Sequence, residues 1–455
     1  MRARQWLFKH IVYRAALRAT GQSTLYSRKA FLEEQQFWSQ QRLVDYRDDR
    51  LRQILCVALE QVPYYQGLSL RVTPDELKNA STKDLPALLE TFPIISKQTL
   101  RKHSHELRAV PRPDRIHSKT TGGSTGEPVT VLKDAEAVAQ ERAAMWLAYG
   151  WFGTEIGDRC MRFWGVPQSN RRKWFARLGD FAMNRRRASS FAFSEEDLAR
   201  YWKTLGEFSP QYLHGYASML VQVASFGEQR QLPPPSPHLK SIVATAEVLS
   251  DSDKAKLQRV FDAPVQIEYG CGEVGPIAYT CEEDSLHQLV QNIHVEILDS
   301  SDQPARSGRL VITDLHNVAM PLVRYDLGDL GSWGVSCSCG RGLPLLQGVH
   351  GRAYDIVVAP NGERFHGEFF MYLFEDVERE GGSIDQFQVE QTSRGELTIR
   401  MASSDADWER QKRLVMRKFQ QRLPMFSLTI HQVERIDRLP SGKMQVVSSF
   451  TAAAD

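Results

Sequence analysis

The chain has 455 residues, 42% hydrophobic and 25% charged, a globular composition that excludes a wholly disordered, collagen-like or coiled-coil protein. Its 57 basic and 55 acidic side chains leave a net charge of +2, which argues against bulk nucleic-acid binding. No apolar run approaches the roughly 20 residues of a membrane span, and six cysteines are too few for a disulfide scaffold and indicate a cytoplasmic protein with reduced thiols.

Residues 1–30 form a basic amphipathic segment. Lys9 and Arg14 interrupt the apolar run that a secretory signal peptide requires. The pattern predicts a helix that either packs on its own domain or lies against an anionic surface at the inner face of the membrane. A second basic cluster, 171–187, contains interleaved aromatic residues; it is typical of a solvated helix face, and phosphate binding and membrane contact are the alternatives.

Residues 30–70 have the periodicity of helices. From about residue 110, short β-rich runs alternate with helical ones, which predicts an α/β fold with a largely parallel sheet. Residues 290–335 are more purely β, with runs at 293–298, 308–313 and 321–325. The last hundred residues alternate as a small α+β domain. We therefore expect a large N-terminal domain over 31–350 and a C-terminal domain over 351–455.

A loop rich in glycine and hydroxyl residues lies at 120–128 and precedes a β run. Glycine lets backbone N–H groups turn toward a phosphate, and hydroxyls add donors. The loop lacks the Lys-Ser or Lys-Thr of a Walker motif, and a strand rather than a helix follows it, unlike a dinucleotide fingerprint. By itself this pattern also fits a surface turn.

Four further motifs follow this loop in order. They are Tyr269-Gly270-Cys271-Gly272-Glu273, Tyr325-Asp326-Leu327-Gly328-Asp329, Gly351-Arg352-Ala353-Tyr354-Asp355 and Pro440-Ser441-Gly442-Lys443. Each is loose alone, but five in this order resemble the adenylate-forming ligase superfamily, within it the phenylacetate–CoA ligase and CapK-like branch. The resemblance covers about residue 30 to the C-terminus. It implies a large multi-layer α/β N-terminal domain and a small mobile α+β C-terminal domain.

The resemblance also implies an enzyme. In the family, a carboxylate attacks the α-phosphate of ATP to give an acyl-adenylate and pyrophosphate, and a nucleophile, commonly CoA, then displaces AMP. We expect ATP, Mg²⁺ and CoA as cofactors and a small carboxylic acid as substrate. Two alternatives stay open: a CapK-like ligase that passes the acyl group to an amine or hydroxyl in surface polysaccharide or small-molecule biosynthesis, and a non-catalytic nucleotide-binding module.

Site residues follow from the resemblance position by position. The nucleotide would be held by Thr120, Thr121, Gly122, Gly123, Ser124, Thr125, Gly126, Glu247, Tyr269, Gly270, Asp329 and Arg352. Glu273 would bind Mg²⁺, for which carboxylate oxygens are suitable ligands. Lys443 would bridge the substrate carboxylate and the α-phosphate as a point charge.

Two further sets of residues are implied. The family often has paired aspartates at the hinge, where this chain has Tyr354 and Asp355, so either residue is a candidate pivot. His214, Gly215, Tyr216 and Ala217 resemble the segment that lines the acyl pocket, although a strand-to-helix turn would look the same.

Cys281, His287, Cys337 and Cys339 form a candidate metal site. Thiolate and imidazole ligands suit tetrahedral Zn²⁺, although the Cys-x-Cys spacing is tighter than usual. Phenylacetate–CoA ligase-like proteins often carry both halves of this pattern, so the resemblance favours a closed structural zinc site over four separate reduced residues. Cys56 and Cys160 are typical of core thiols, and Cys271 is expected to pack rather than to ligate.

Overall fold

The computed structural model describes residues 2–121, 129–164, 170–189, 194–246, 249, 251–350, 357–365, 369–370, 373–374, 376–377, 380–384, 386–403, 408–436 and 447–448. The chain divides into two compact units. The large unit comprises residues 1–120 and 130–351, and the small unit comprises 121–129 and 352–455.

Helices of the large unit precede the main sheet and then alternate with its strands. They are α1 (Arg2–Leu7), a π-helical turn (Phe8–Val12), α2 (Tyr13–Ala19), α3 (Leu25–Gln35), α4 (Gln40–Gln61), α5 (Pro63–Gln66), α6 (Pro74–Asn79), α7 (Leu85–Glu90), α8 (Lys97–Lys102), α9 (Ala135–Gly150), α10 (Asn170–Ala182), α11 (Glu195–Phe208), α12 (Ala217–Gln229) and α13 (Asp251–Phe261). Serine, threonine and aspartate cap several of them; the Thr73 side chain and Glu76, for example, form a capping box at α6.

The strands before the small unit form a hairpin and one large sheet. They are β1 (Ile116–Thr121), β2 (Val129–Asp134), β3 (Cys160–Trp164), β4 (Arg185–Ser189), β5 (Tyr212–Tyr216), β6 (Ser241–Thr245), β7 (Val265–Cys271), β8 (Gly275–Thr280), β9 (Leu286–Gln288), β10 (Ile293–Leu298), β11 (Ser307–Asp314), β12 (Tyr325–Trp333) and β13 (Leu345–His350). β1 pairs with β2, and the others form an eleven-stranded sheet in the order β10-β11-β12-β13-β9-β8-β7-β6-β5-β3-β4.

The large sheet has a parallel part and an antiparallel part. Strands β4, β3, β5, β6 and β7 are parallel, whereas every pairing from β7 to β10 is antiparallel. The expectation of a largely parallel sheet is therefore wrong for the second half, where short turns replace crossover helices. The strand expected at 321–325 begins only at Tyr325, because Pro321 lacks an N–H donor and Arg324 adopts a positive φ of 51°.

Two apolar cores cover the two faces of the parallel strands. One core packs α9 and the first helices against Cys160, Tyr212 and Val243. The other packs α11, α12 and α13 against alternate residues such as Phe163, Leu213 and Ile242. Since side chains alternate between faces along a strand, Arg162 and His214 also project from the face toward α9.

The small unit has its own sheet and core. Its strands are β14 (Val357–Val358), β15 (Arg364–Phe365), β16 (Gln386–Ser393), β17 (Glu396–Ala402), β18 (Ser427–Gln432) and β19 (Val447–Ser448), and its helix α14 spans Trp408–Arg422. The last four strands form one sheet in the order β18-β17-β16-β19. The aromatic rings of Phe374 and Phe387 stack in a core that also contains Phe419. These elements agree with the α+β pattern expected from the sequence.

The N-terminal segment packs on the large unit. Phe8, Tyr13 and Leu17 are buried, and Lys9 forms an ion pair of 2.7 Å with Glu155. The expected amphipathic helix is thus present, interrupted by the π-helical turn, and its packed alternative is confirmed. Among the described residues, no helix combines the length and the apolar character needed to cross a membrane.

Candidate active site and metal centre

Two of the sequence motifs meet at the carboxyl end of β7. The Tyr269 hydroxyl donates a hydrogen bond of 2.9 Å to Asp329 Oδ2, although 60 residues separate them. Gly270 is required in this strand end, because a Cβ atom there would lie 2.5 Å from the carbonyl oxygen of Gly275. Because Gly270 has no side chain, the backbones of β7 and β8 can approach each other closely next to Tyr269. The carboxyl ends of parallel strands are where ligands bind in open α/β sheets.

Glu273 lies in the turn between β7 and β8 and is only 5% exposed. Its Oε1 accepts a hydrogen bond of 3.2 Å from the Tyr325 hydroxyl and lies 3.8 Å from Lys97 Nζ. A buried carboxylate is costly without such partners. Burial and the neighbouring Glu273 carboxylate raise the pKa of Cys271, so this thiol stays neutral, as expected of a packing residue.

A buried lysine holds the Glu273 turn in place. Lys133 Nζ donates to the carbonyl of Val274 at 2.7 Å and to Asp314 and Glu141, each at 3.1 Å. Burial opposes its charge, but these two carboxylates outweigh burial and raise the pKa of Lys133. Lys133, Lys97 and Tyr325 were not among the site residues predicted from the sequence. A lysine directly after the apolar residues of strand β2 is the signal that could have identified Lys133.

The segment expected to line the acyl pocket joins β5 to α12. His214, Gly215, Tyr216 and Ala217 are all buried, and the Tyr216 ring stacks on Trp164 with centroids 4.6 Å apart. Gly215 lies against Phe163, where a Cβ atom would come within 2.7 Å of that residue's Cβ. An aromatic pair thus lies at the carboxyl ends of β3 and β5.

Glu268 lies beside the segment His214–Ala217 and was not predicted as a site residue from the sequence. The carboxylate accepts hydrogen bonds from the hydroxyls of Tyr149, Tyr279 and Thr245 at 2.8–3.1 Å. Burial by itself would raise the pKa of Glu268, but His214 and the hydroxyl donors outweigh it and lower the pKa to about 2. Glu268 is therefore a buried, ionised group at neutral pH.

Several expected site residues lie outside the described residues. They are Gly122, Gly123, Ser124, Thr125, Gly126, Glu247, Arg352, Tyr354, Asp355 and Lys443. The first two residues predicted for the phosphate loop are described. The Thr120 hydroxyl lies 3.2 Å from the Thr130 hydroxyl across the β1–β2 pair, and Thr121 is the last residue of β1.

The four predicted metal ligands converge. One ligand atom each from Cys281, His287, Cys337 and Cys339 lies within 4.8 Å of the others. Cys281 Sγ is 3.6 Å from Cys337 Sγ, and Cys339 Sγ is 3.2 Å from His287 Nε2. Three sulfurs and one imidazole nitrogen at such separations suit a tetrahedral Zn²⁺ ion and leave no ligand position open.

Surrounding residues orient this cluster. His287 Nδ1 lies 3.2 Å from the carbonyl oxygen of Leu343, so Nδ1 carries the proton and Nε2 faces the cysteines. Arg341, two residues beyond Cys339, forms a double hydrogen bond with Glu282 at 2.7 and 2.9 Å. Both segments that carry the ligands are therefore fixed to each other independently of a metal.

Comparison with known proteins shows similarity to a protein named CapK and to proteins named phenylacetate–coenzyme A ligase, although no family model matches. The chain is 23% identical over 246 residues to Protein CapK of Staphylococcus aureus, covering 53% of this chain and 54% of that protein, so it matches about half the length of this relative. It is 26% identical over 343 residues to a phenylacetate–coenzyme A ligase of Thermus thermophilus, covering 69% and 71% of the two chains.

Among solved structures, the chain resembles 2-hydroxyisobutyryl-CoA ligase in complex with 2-HIB-AMP and CoA in the thioesterification state. The TM-score is 0.60 at 20% identity, and 89% of each chain is covered, which shows the fold. The resemblance drawn from the ordered motifs is confirmed to this extent: the chain is similar in sequence to proteins named CapK and phenylacetate–coenzyme A ligase, and it shares the fold of 2-hydroxyisobutyryl-CoA ligase.

Proposed function

We propose that this protein is an ATP-dependent carboxylic acid ligase that forms an acyl-adenylate, releases pyrophosphate and transfers the acyl group to CoA. The observation that carries the proposal is the junction of Tyr269, Asp329 and Glu273 at the carboxyl end of β7. The relatives named phenylacetate–coenzyme A ligase support CoA as the acceptor. The site is proposed to work in the cytoplasm.

The resemblance assigns each predicted site residue a role in this reaction. Asp329 accepts hydrogen bonds from the ribose hydroxyls, oriented by the Tyr269 hydroxyl, while the Tyr269 ring lies beside adenine. Glu273 holds Mg²⁺, which when bound neutralises charge on the phosphates. The loop 120–126 covers the triphosphate with backbone N–H groups, Glu247 and Arg352 complete the nucleotide site, and Lys443 stabilises the charge that develops at the α-phosphate.

The test is acid-dependent pyrophosphate release with ATP and Mg²⁺ across aryl, fatty and sugar acids. Release with at least one acid is expected, and Lys443→Ala should abolish it while the protein still binds ATP. CoA, amines or sugar hydroxyls added to the adenylated enzyme then identify the acceptor by the rate of AMP release. Retained activity in Lys443→Ala would contradict the assignment, and ATP binding without release for any acid would favour a non-catalytic module.

We also propose that Cys281, His287, Cys337 and Cys339 hold one structural Zn²⁺ ion. The donor set supports this, because three thiolates and an imidazole prefer a borderline-soft ion over Mg²⁺. Because four protein ligands leave no position open for a substrate, the metal would contribute to stability rather than to the reaction.

A peripheral membrane contact is the third proposal, and it extends beyond the N-terminal segment. Trp6, Leu7 and Ile11 remain exposed after that segment packs, and α10 exposes Trp174, Leu178 and Phe181 at helical spacing. The rings of Phe8 and Phe181, 5.4 Å apart, join the two helices. Between them lies a cavity of about 580 Å³, lined by Arg4, Arg177, Arg185, Arg186 and Arg187.

Exposed aromatic residues beside clustered arginines suit a bilayer that contains anionic lipids. Sedimentation with vesicles tests this proposal. We expect binding to vesicles of phosphatidylcholine with phosphatidylglycerol, weaker binding to phosphatidylcholine alone, and loss of binding in a Trp6→Ser, Phe181→Ser double variant. Equal binding by that variant would contradict the proposed surface, and Phe37→Ser, which changes an exposed phenylalanine outside these two helices, is the matched control.

A further inference from the structure

Three basic side chains lie in one row across the parallel strands β4, β3 and β5. Arg162 of β3 is the register partner of both Arg187 and His214. Register partners in a parallel sheet project from the same face, about 4.8 Å apart. The row therefore presents two guanidinium groups and an imidazole to the face that α9 covers.

The two arginines of this row differ in whether an acidic side chain pairs with them. Asp180 binds Arg185 at 2.7 Å and Arg187 at 3.0 Å, so one carboxylate serves both. Within the described ranges, no acidic side chain lies within 4 Å of Arg162. Its Nε atom is buried without a hydrogen-bond partner among the described residues, and its guanidinium lies 4.0 Å from the centre of the Trp164 ring. Burial, and after it the charges of Arg185 and Arg187, lower the pKa of Arg162 to about 10. This pKa is still well above neutral pH, and the guanidinium therefore stays charged.

His214 is also incompletely paired. It is 8% exposed, its Nε2 atom makes no hydrogen bond with a described residue, and the Glu268 Oε1 atom lies 3.8 Å away. Burial lowers the pKa of His214, which leaves a neutral imidazole able to donate one hydrogen bond. A buried polar atom without a partner costs free energy. The charged guanidinium of Arg162 and the neutral imidazole of His214 thus lie side by side, each with a buried nitrogen that no described residue pairs.

We propose that Arg162 and His214 bind a second anionic group, such as a carboxylate, on the acid that the enzyme activates. This inference rests on the proposed ligase function and specifies its substrate class. The aromatic pair of Trp164 and Tyr216, one step closer to the strand ends, would contact the apolar body of the acid. The proposed nucleotide site lies at the end of β7, and β3 is three strands away from it, roughly 14 Å at ordinary strand spacing. An acid that reaches from one to the other is therefore extended rather than compact.

Pyrophosphate release with matched pairs of acids tests the inference. Decanoate is compared with sebacate, and phenylacetate with 4-carboxyphenylacetate. The wild-type protein should prefer the diacid of at least one pair by about ten- to a hundred-fold in kcat/KM, the range expected for a charged hydrogen bond. In Arg162→Met, KM for the diacid should rise by that factor while the monoacid is unaffected, and Arg162→Lys should retain part of the preference.

Arg186→Met is the matched control, because Arg186 lies on the same strand β4 as Arg187 but on the opposite face and outside the row. It should leave the preference unchanged. Equal use of diacids and monoacids by the wild type, or an equal loss for both in a folded Arg162→Met, would overturn the inference and leave the ligase function standing. No release with any acid would instead overturn the ligase function. Thermal denaturation with and without sebacate gives a second readout, since Arg162→Met should lose any stabilisation by the diacid.

Discussion

The two polar clusters of the large unit differ in how completely their atoms are paired. In the cysteine–histidine cluster, all four ligand atoms face one another and the histidine is fixed by the Leu343 carbonyl. In the row of Arg162 and His214, each residue has a buried nitrogen that no described residue pairs. We propose that the first cluster closes around a metal ion and that the second closes around a ligand.

The positions of the clusters match this difference. The metal ligands come from the antiparallel part of the sheet and the loop before β13, where short connections bring distant segments together. The basic row lies across the parallel strands, whose carboxyl ends form the usual ligand-binding edge of α/β proteins. We therefore propose a structural role for the cysteine–histidine cluster and a ligand-binding role for the basic row.

The largest expected effect tests the closed cluster. Elemental analysis should find about one zinc per chain. Cys339→Ser or metal removal should destabilise the large unit by several kcal/mol, because metal binding and folding are coupled in such sites, which corresponds to a fall in Tm of about 10 °C. Cys56→Ala, which changes a buried thiol on α4 outside the cluster, is the control and should keep the metal. A metal-free protein with unchanged melting would refute the zinc assignment.

Glu273 provides the next test, because it is buried like Cys281 and His287 but belongs to the predicted nucleotide site. Glu273→Gln should lower kcat/KM for pyrophosphate release by at least about a hundred-fold, the scale of losing one electrostatic group at a reacting phosphate, and should shift the Mg²⁺ titration to higher concentrations. Tm should change little, since Gln can still accept the Tyr325 hydrogen bond. The control is Glu283→Gln on an exposed turn. An unchanged Mg²⁺ titration would remove Glu273 from the site.

The smallest expected effect concerns Glu268, the acidic neighbour of the basic row. Its pKa is lowered in the folded state, from 4.5 to about 2. The stability that it contributes is therefore present above pH 4.5 and is lost as the pH falls toward 2. Between pH 5 and pH 3, denaturant unfolding should show a steeper loss for the wild type than for Glu268→Gln, by about 1–2 kcal/mol. Parallel pH profiles of the two proteins would show that Glu268 is not held ionised.

Local pattern predicted much of the fold. The strand Ile293–Leu298 has the expected bounds, because its apolar residues alternate with polar ones. The convergence of Cys281, His287, Cys337 and Cys339 agrees with the shared site that the resemblance favoured. The strand expected at 321–325 failed because the left-handed backbone of Arg324 is not visible in an apolar run.

The basic row could not be predicted, because strand register is not a local property. Arg162 is one charged residue in a strand of buried neighbours, and nothing in Cys-Met-Arg-Phe-Trp indicates that it faces His214, 52 positions later. The same holds for the hydrogen bond between Tyr269 and Asp329, two residues that the ordered motifs assigned to one nucleotide site without predicting a contact between them.

Gly215 has a practical consequence for enzyme redesign. Its neighbour Phe163 leaves no room for a side chain, since a Cβ atom would lie 2.7 Å from the Phe163 Cβ and 2.9 Å from its carbonyl oxygen. Even alanine would push β3 and β5 apart and displace the aromatic pair at their ends. A mutant library that seeks new acids should therefore randomise Arg162 and Trp164 and leave Gly215 and Phe163 as they are.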